Sequence, residues 1–138
     1  MAERYTHRLR VRYSECDQQG VVFNAHYFAY FDVALTEMWR EAFGSYGEVV
    51  DSGTDVVVAE ASATFRAPAR FDDELDVTLG IDRLGTTSMT MAALIHRDDE
   101  LLVEGRMVHV FVDTATMAKR PIPDWLRTGL EAYATSPA

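Results

Sequence analysis

The sequence predicts an α+β fold in which an antiparallel sheet of about five strands wraps one long apolar helix, with a short helix closing the chain. Three observations predict it: an opening strand of strict alternation, one helix that is apolar over most of its surface, and a later run of strand-like segments separated by turn residues. Strands in series, rather than alternating with helices, favour antiparallel pairing.

The first strand is expected over 5–13, where Tyr5, His7, Leu9, Val11 and Tyr13 share one side and Thr6, Arg8, Arg10 and Arg12 the other. An irregular stretch from Ser14 to Phe23 contains Gly20 and leads to Asn24, whose side chain suits a helix cap. From Ala25 to about Phe43 the apolar positions include Tyr27, Phe28, Phe31, Leu35, Met38 and Trp39, leaving a narrow polar stripe of Asp32, Thr36, Glu37 and Arg40. Such a helix must be covered, so Phe28, Phe31, Met38 and Trp39 read as core before they read as ligand pocket. Gly44 and Gly47 are expected to end it.

Strands follow at about 54–66, 74–84, 86–97 and 101–113, broken by Pro68, Leu84-Gly85-Thr86 and Arg97-Asp98-Asp99-Glu100. The last three read as successive hairpin partners. Pro121-Ile122-Pro123 stops the final strand, and 124 to 133 form the closing helix with Asp124 at its positive end. No linker or repeat divides residues 1–138, so a single domain is expected. A sheet curled around one helix keeps an open edge, and pairing between subunits is expected there.

Hydrophobic residues make up 48% and charged residues 25% of the chain, a balance that supports a folded core. The net charge of -9, with 13 Lys and Arg against 22 Asp and Glu, argues against nucleic acid as a partner. The one cysteine, Cys16, excludes an internal disulfide and fits a reducing compartment. The polar start of the chain and the absence of a long apolar run give no signal peptide and no membrane partner, so a cytoplasmic location is expected.

The segment from Tyr13 to Tyr27, Tyr-Ser-Glu-Cys-Asp-Gln-Gln-Gly-Val-Val-Phe-Asn-Ala-His-Tyr, resembles the signature of the 4-hydroxybenzoyl-CoA thioesterase family, a branch of the hot-dog thioesterases. Phe65 to Leu75 is similar to that family's crossing between strands, and Lys119-Arg120-Pro121-Ile122-Pro123 to its C-terminal element. The resemblance implies the hot-dog fold and hydrolysis of thioesters of coenzyme A, or of acyl carrier protein, without metal or cofactor. It implies a homodimer or homotetramer with the site at a subunit interface. Its key aspartate matches Asp17, and its oxyanion donor, a backbone amide at the start of the long helix, matches Asn24.

Thioester hydrolysis needs an attacking oxygen and stabilisation of the charge that grows on the carbonyl oxygen. Asp17 supplies a carboxylate for the first, as nucleophile or as general base on water. The first amides of the following helix, unpaired and partially positive, suit the second. Without the surrounding motif, an Asp in a Gly-containing loop reads as an Asx-turn. Phe23 is the candidate acyl contact, His26 and Tyr27 are ligand neighbours, and Arg66 and Arg70 are candidates by charge for the CoA phosphates. Cys16 reads as a small buried residue and Asp72-Asp73-Glu74 as a structural turn. A hot-dog hydratase or dehydratase pairs its acid with a nearby histidine, which Val22 and Asn24 do not provide. A non-catalytic acyl-CoA or carrier-protein binding module is the rival of another class.

Overall fold

The computed structural model describes residues 4–134. The chain forms β1 (Tyr5–Arg10), a single 3-10 turn at Tyr13–Glu15, α1 (Asn24–Phe43), α2 (Tyr46–Asp51), β2 (Thr54–Phe65), β3 (Glu74–Leu84), β4 (Ser88–Arg97), β5 (Glu100–Asp113) and α3 (Asp124–Glu131). The five strands make one antiparallel sheet in the order β1-β3-β4-β5-β2, curled around α1 as the hot-dog fold requires.

Alternation along the central strands sends one set of side chains towards α1. Leu75, Val77, Leu79 and Ile81 of β3, and Met89, Met91, Ala93 and Ile95 of β4, are almost fully buried. Register aligns them in layers: Val77 with Ile95 and Val103, Leu79 with Ala93 and Gly105, Ile81 with Met91 and Met107. Phe31, Ala34, Met38 and Trp39 of α1 close the core from above, as the apolar pattern of the helix predicts. Gly105 lets the helix come close, since a Cβ there would lie 2.5 Å from the Phe31 ring.

Three boundaries differ from the sequence reading, each for a local reason. β1 stops at Arg10 rather than reaching Tyr13, because the Glu15 carboxylate accepts the Arg12 amide at 2.7 Å and draws the backbone into the 3-10 turn. Val11 stays buried, but Tyr13 is 80% exposed. The cap of α1 is Phe23, not Asn24; Asn24 is the first helical residue, and no side chain caps the start. Gly44, at φ 89°, ends α1 as expected, whereas Gly47 lies inside α2, which Ser45 starts by accepting the Glu48 amide at 3.1 Å.

β2 pairs only with β5, so its other edge is open among the described residues, and Val58 and Phe65 on it are about half exposed. The Asp72-Asp73-Glu74 turn is structural: Arg10 pairs with Glu74 at 2.7 Å, and Arg97 reaches Asp73 at 2.7 Å and the Pro68 carbonyl at 3.2 Å. No helix of the described residues is long and apolar enough to cross a membrane.

Candidate active site

The loop between β1 and α1 is a small hairpin of its own. Cys16 bridges Val22, the Asp17 amide donates to the Val21 carbonyl at 2.9 Å, and the Gly20 amide returns to the Asp17 carbonyl at 3.0 Å. Gly20 sits at φ 77°, a conformation glycine adopts freely. Val21 bridges Arg70 and the Val22 amide donates to Ala69, so the crossing after β2 lies alongside.

Asp17 stands at the tip. Its Oδ1 accepts the Gln19 amide at 2.8 Å, so the Asx-turn is formed. The turn does not consume the carboxylate, because no donor among the described residues reaches Oδ2. The contact holds the group in one orientation with a free oxygen.

Two residues that the sequence reading gave no role hold this loop on the helix. Glu15 is 8% exposed, and its Oε1 accepts both the Arg12 amide and, at 2.9 Å, the Tyr30 hydroxyl from the second turn of α1. Burial alone would raise the Glu15 carboxyl, but the hydrogen bonds from the Arg12 backbone, Tyr30 and the Arg12 guanidinium outweigh it and leave it below its ordinary value. Burial first, then the bond to Glu15, pushes the Tyr30 phenol well above its ordinary value. The Glu15 carbonyl also accepts the amide of Phe23, the cap of α1, at 3.0 Å. No spacing rule pairs residues 15 apart across a loop and a helix, so only the fold reveals this contact.

With no side-chain cap, the first amides of α1, those of Asn24 and Ala25, have no intrahelical acceptor and carry the helix's partial positive charge. Asp17, Asn24, Tyr27 and Arg66 line one cavity of about 380 Å³, together with Val21, Val22 and the crossing from Phe65 to Pro68. Phe23, His26 and Arg70 do not line it. Phe23 is half exposed and meets His26 edge-on at 6.0 Å, while Arg70 is exposed beside Val21. Tyr27 is 3% exposed, and its hydroxyl accepts the Ala69 amide at 3.0 Å, pinning the crossing to the helix. Arg66 is paired with Glu104 at 2.6 Å. Cys16 is half-buried rather than buried.

A second groove, about 270 Å³, opens between α1 and β2 and is lined by Leu35, Thr36, Trp39, Val56, Val58 and His109, with Asp32 at its exposed rim. His109 is 1% exposed, and burial lowers its imidazole to about 4. A histidine in an alternating strand gives no sign of this in sequence.

Residues 19–104 match the family described as the Thioesterase superfamily, a span that begins two positions after Asp17. The acyl-CoA thioester hydrolase YbgC of Escherichia coli is 32% identical over 116 residues, covering 83% of this chain and 87% of that protein. The crystal structure of the hypothetical protein TT1821 from Thermus thermophilus aligns with a TM-score of 0.87 at 30% identity, over 94% of this chain and 98% of that one. That of the hypothetical protein AQ1494 from Aquifex aeolicus gives 0.87 at 27% identity, over 91% and 98%.

Proposed function

The chain belongs to the thioesterase superfamily and is a thioester hydrolase, and on that premise we propose that it cleaves acyl- or aroyl-CoA thioesters with the Asp17 carboxylate and the α1 N-terminus. The observation that carries the reading is a single cavity lined by Asp17, which has a free carboxylate oxygen, and by Asn24, the first residue of an uncapped helix.

The carbonyl oxygen of the thioester lies against the Asn24 amide, which stabilises the charge that develops there. Asp17, either directly or through a water it deprotonates, forms the new C–O bond. The C–S bond breaks and the sulfur leaves as the CoA thiol after taking a proton. The direct route passes through an anhydride that water then opens at the acyl carbon. Both routes return acid and thiol and require no external electron carrier. Tyr27 flanks the acyl group and Arg66 is the cation of the cavity available to the phosphates, whereas Phe23, His26 and Arg70, expected from the sequence to neighbour the ligand, lie outside that cavity. The single cysteine supports a cytoplasmic setting.

The active unit is a homo-oligomer. The open edge of β2 and the exposed Val33, Val58 and Phe65 support antiparallel pairing of β2 with a second copy, which would extend the sheet and bury apolar surface. Such a two-fold brings the Phe65–Arg66 end of one β2 towards the Val56–Val58 end of the other, setting the site at the interface.

The test is thiol release from short, long and aromatic acyl-CoAs and from an acyl carrier protein thioester, by wild type and by Asp17→Asn. Loss of at least a thousandfold in kcat with an unchanged melting curve is expected; an unchanged rate removes Asp17 from the reaction. Acyl-CoA binding without turnover by the wild type would favour the non-catalytic binding module instead. Val58→Asp should yield monomers in sedimentation.

A further inference from the structure

Tyr27 carries a hydroxyl that the fold uses only in part. Its oxygen accepts the Ala69 amide at 3.0 Å, which engages a lone pair and leaves the phenolic proton free. No acceptor among the described residues takes that proton. Glu15, the buried carboxylate behind the loop, is already held by Arg12 and Tyr30. Yet Tyr27 is 3% exposed and lines the cavity that Asp17 and Asn24 also line. A buried hydroxyl that cannot donate has given up water without replacement, so this donor is directed at what the cavity holds.

Tyr27 stands three residues after Asn24 on α1, and helical side chains lean towards the N-terminus, so positions three apart lie on one face. The phenol therefore reaches back over the turn whose first amides are unpaired. The Ala69 bond fixes its oxygen, and the rings of Tyr30 and Phe65, centred 6.0 and 5.6 Å away, pack against its own. Ala69 is itself held: its carbonyl accepts the Val22 amide at 2.8 Å, while Arg97 reaches the neighbouring Pro68 carbonyl at 3.2 Å and Asp73 at 2.7 Å. A donor fixed in this way needs no reorganisation when charge develops opposite it. The other side-chain donors of the cavity are less fixed or already paired: Gln19 is exposed on the loop, and Arg66 holds Glu104 at 2.6 Å.

Burial raises the Tyr27 phenol above its ordinary value against the opposing Ala69 amide and Arg97, and Cys16 and Asp17 add to the rise. The group stays a neutral O–H, able to donate and unable to act as a base. A thiol ionises near about 8.5, so its thiolate is too weak a base to take a proton from this phenol. The carbonyl oxygen, rather than the leaving sulfur, is the acceptor that remains.

We propose that Tyr27 is a catalytic residue whose hydroxyl is the second donor to the thioester carbonyl oxygen, beside the Asn24 amide. The proposal rests on the thioesterase reading. Tyr27 keeps its proton throughout, and its hydrogen bond strengthens as the oxygen becomes anionic, so it acts on kcat more than on binding.

Three measurements on the full chain test this. Tyr27→Phe should lower kcat about a hundredfold with KM changed less than threefold. That change also strands the Ala69 amide, so difluorotyrosine in place of Tyr27 separates donation from pinning. Ring fluorines make the hydroxyl a stronger donor and a weaker acceptor, and bring its ionisation into the working pH range. Donation predicts kcat at or above wild type at low pH and at least a tenfold loss once the phenol ionises. Pinning predicts no loss there, because a phenolate holds the Ala69 amide more tightly. In the third, a ketone analogue of acyl-CoA, with methylene in place of sulfur, is bound without being hydrolysed. Its isotope-labelled carbonyl should stretch several wavenumbers lower in wild type than in Tyr27→Phe. Equal frequencies, or full activity with the difluorophenol ionised, overturns the donor and leaves the thioesterase reading standing. A lower frequency in wild type with no thioester hydrolysed upholds the contact and removes the thioesterase reading instead.

Discussion

The Tyr30 hydroxyl donates to Glu15 Oε1 across 2.9 Å in the interior, tying the loop that carries Asp17 to the second turn of the helix whose first residue, Asn24, lines the same cavity as Asp17. Since the Glu15 carbonyl also holds the Phe23 amide, one residue sets the position of the carboxylate relative to the helix start.

Tyr30→Phe and Glu15→Ala are therefore expected to lower kcat more than they raise KM, by about tenfold and a hundredfold respectively. Glu15→Ala also leaves the Tyr30 hydroxyl buried without a partner, at about 1–3 kcal/mol. A purely structural role would lower stability and leave kcat alone. The deciding readout is a double-mutant cycle with Asp17→Asn: if Glu15 acts by positioning Asp17, its loss costs no further activity once Asp17 is gone.

His109 makes stability pH-dependent. Its folded value is about 4, below the ordinary histidine value near 6.5, so between these the unfolded chain binds the extra proton. Stability is full above pH 6.5, falls as pH drops towards 4, and loses on the order of 3 kcal/mol in total at about 1.4 kcal/mol per pH unit. Glu15, lowered in the fold, adds a separate loss only once pH falls through the carboxylate range. Urea midpoints measured from pH 8 to about 5, above the carboxylate range, should show the first decline in wild type and a flat profile over that range in His109→Phe.

Gly105→Ala should destabilise by about 1–3 kcal/mol, because the new methyl meets the buried ring of Phe31 at 2.5 Å. In the background of Phe31→Leu the same change should cost less, and the difference in urea midpoints measures the coupling.

Ser45→Ala removes the side-chain acceptor of the Glu48 amide and should cost about 1 kcal/mol. Faster hydrogen exchange at Glu48, with the amides of β3 and β4 unchanged, would locate the effect in α2.

Most of the fold was legible because it is written in periodicity. Alternation in Tyr5 to Leu9, the wide apolar face from Tyr27 to Trp39 and the turn residues after Leu84 and Arg97 each identify an element without knowledge of its neighbours. Missed details lie where a side chain competes for the backbone. Glu15 takes the Arg12 amide and shortens β1, and Ser45 builds a helix around Gly47. The Ser-Tyr-Gly-Glu spacing at 45–48 was a readable sign of that helix.

The sequence by itself determined the fold class, the loop-before-helix placement of Asp17 and the resemblance that pointed to thioester chemistry. Only the tertiary structure decided that Asn24 leaves its helix start uncapped, that Tyr27 and Arg66 share a cavity with Asp17 while Phe23, His26 and Arg70 lie outside it, and that Glu15 meets Tyr30 and His109 faces a groove beside Trp39. The reason is physical: periodicity records which face of an element is buried, whereas the identity of the atom across from a buried polar group depends on how separate elements dock.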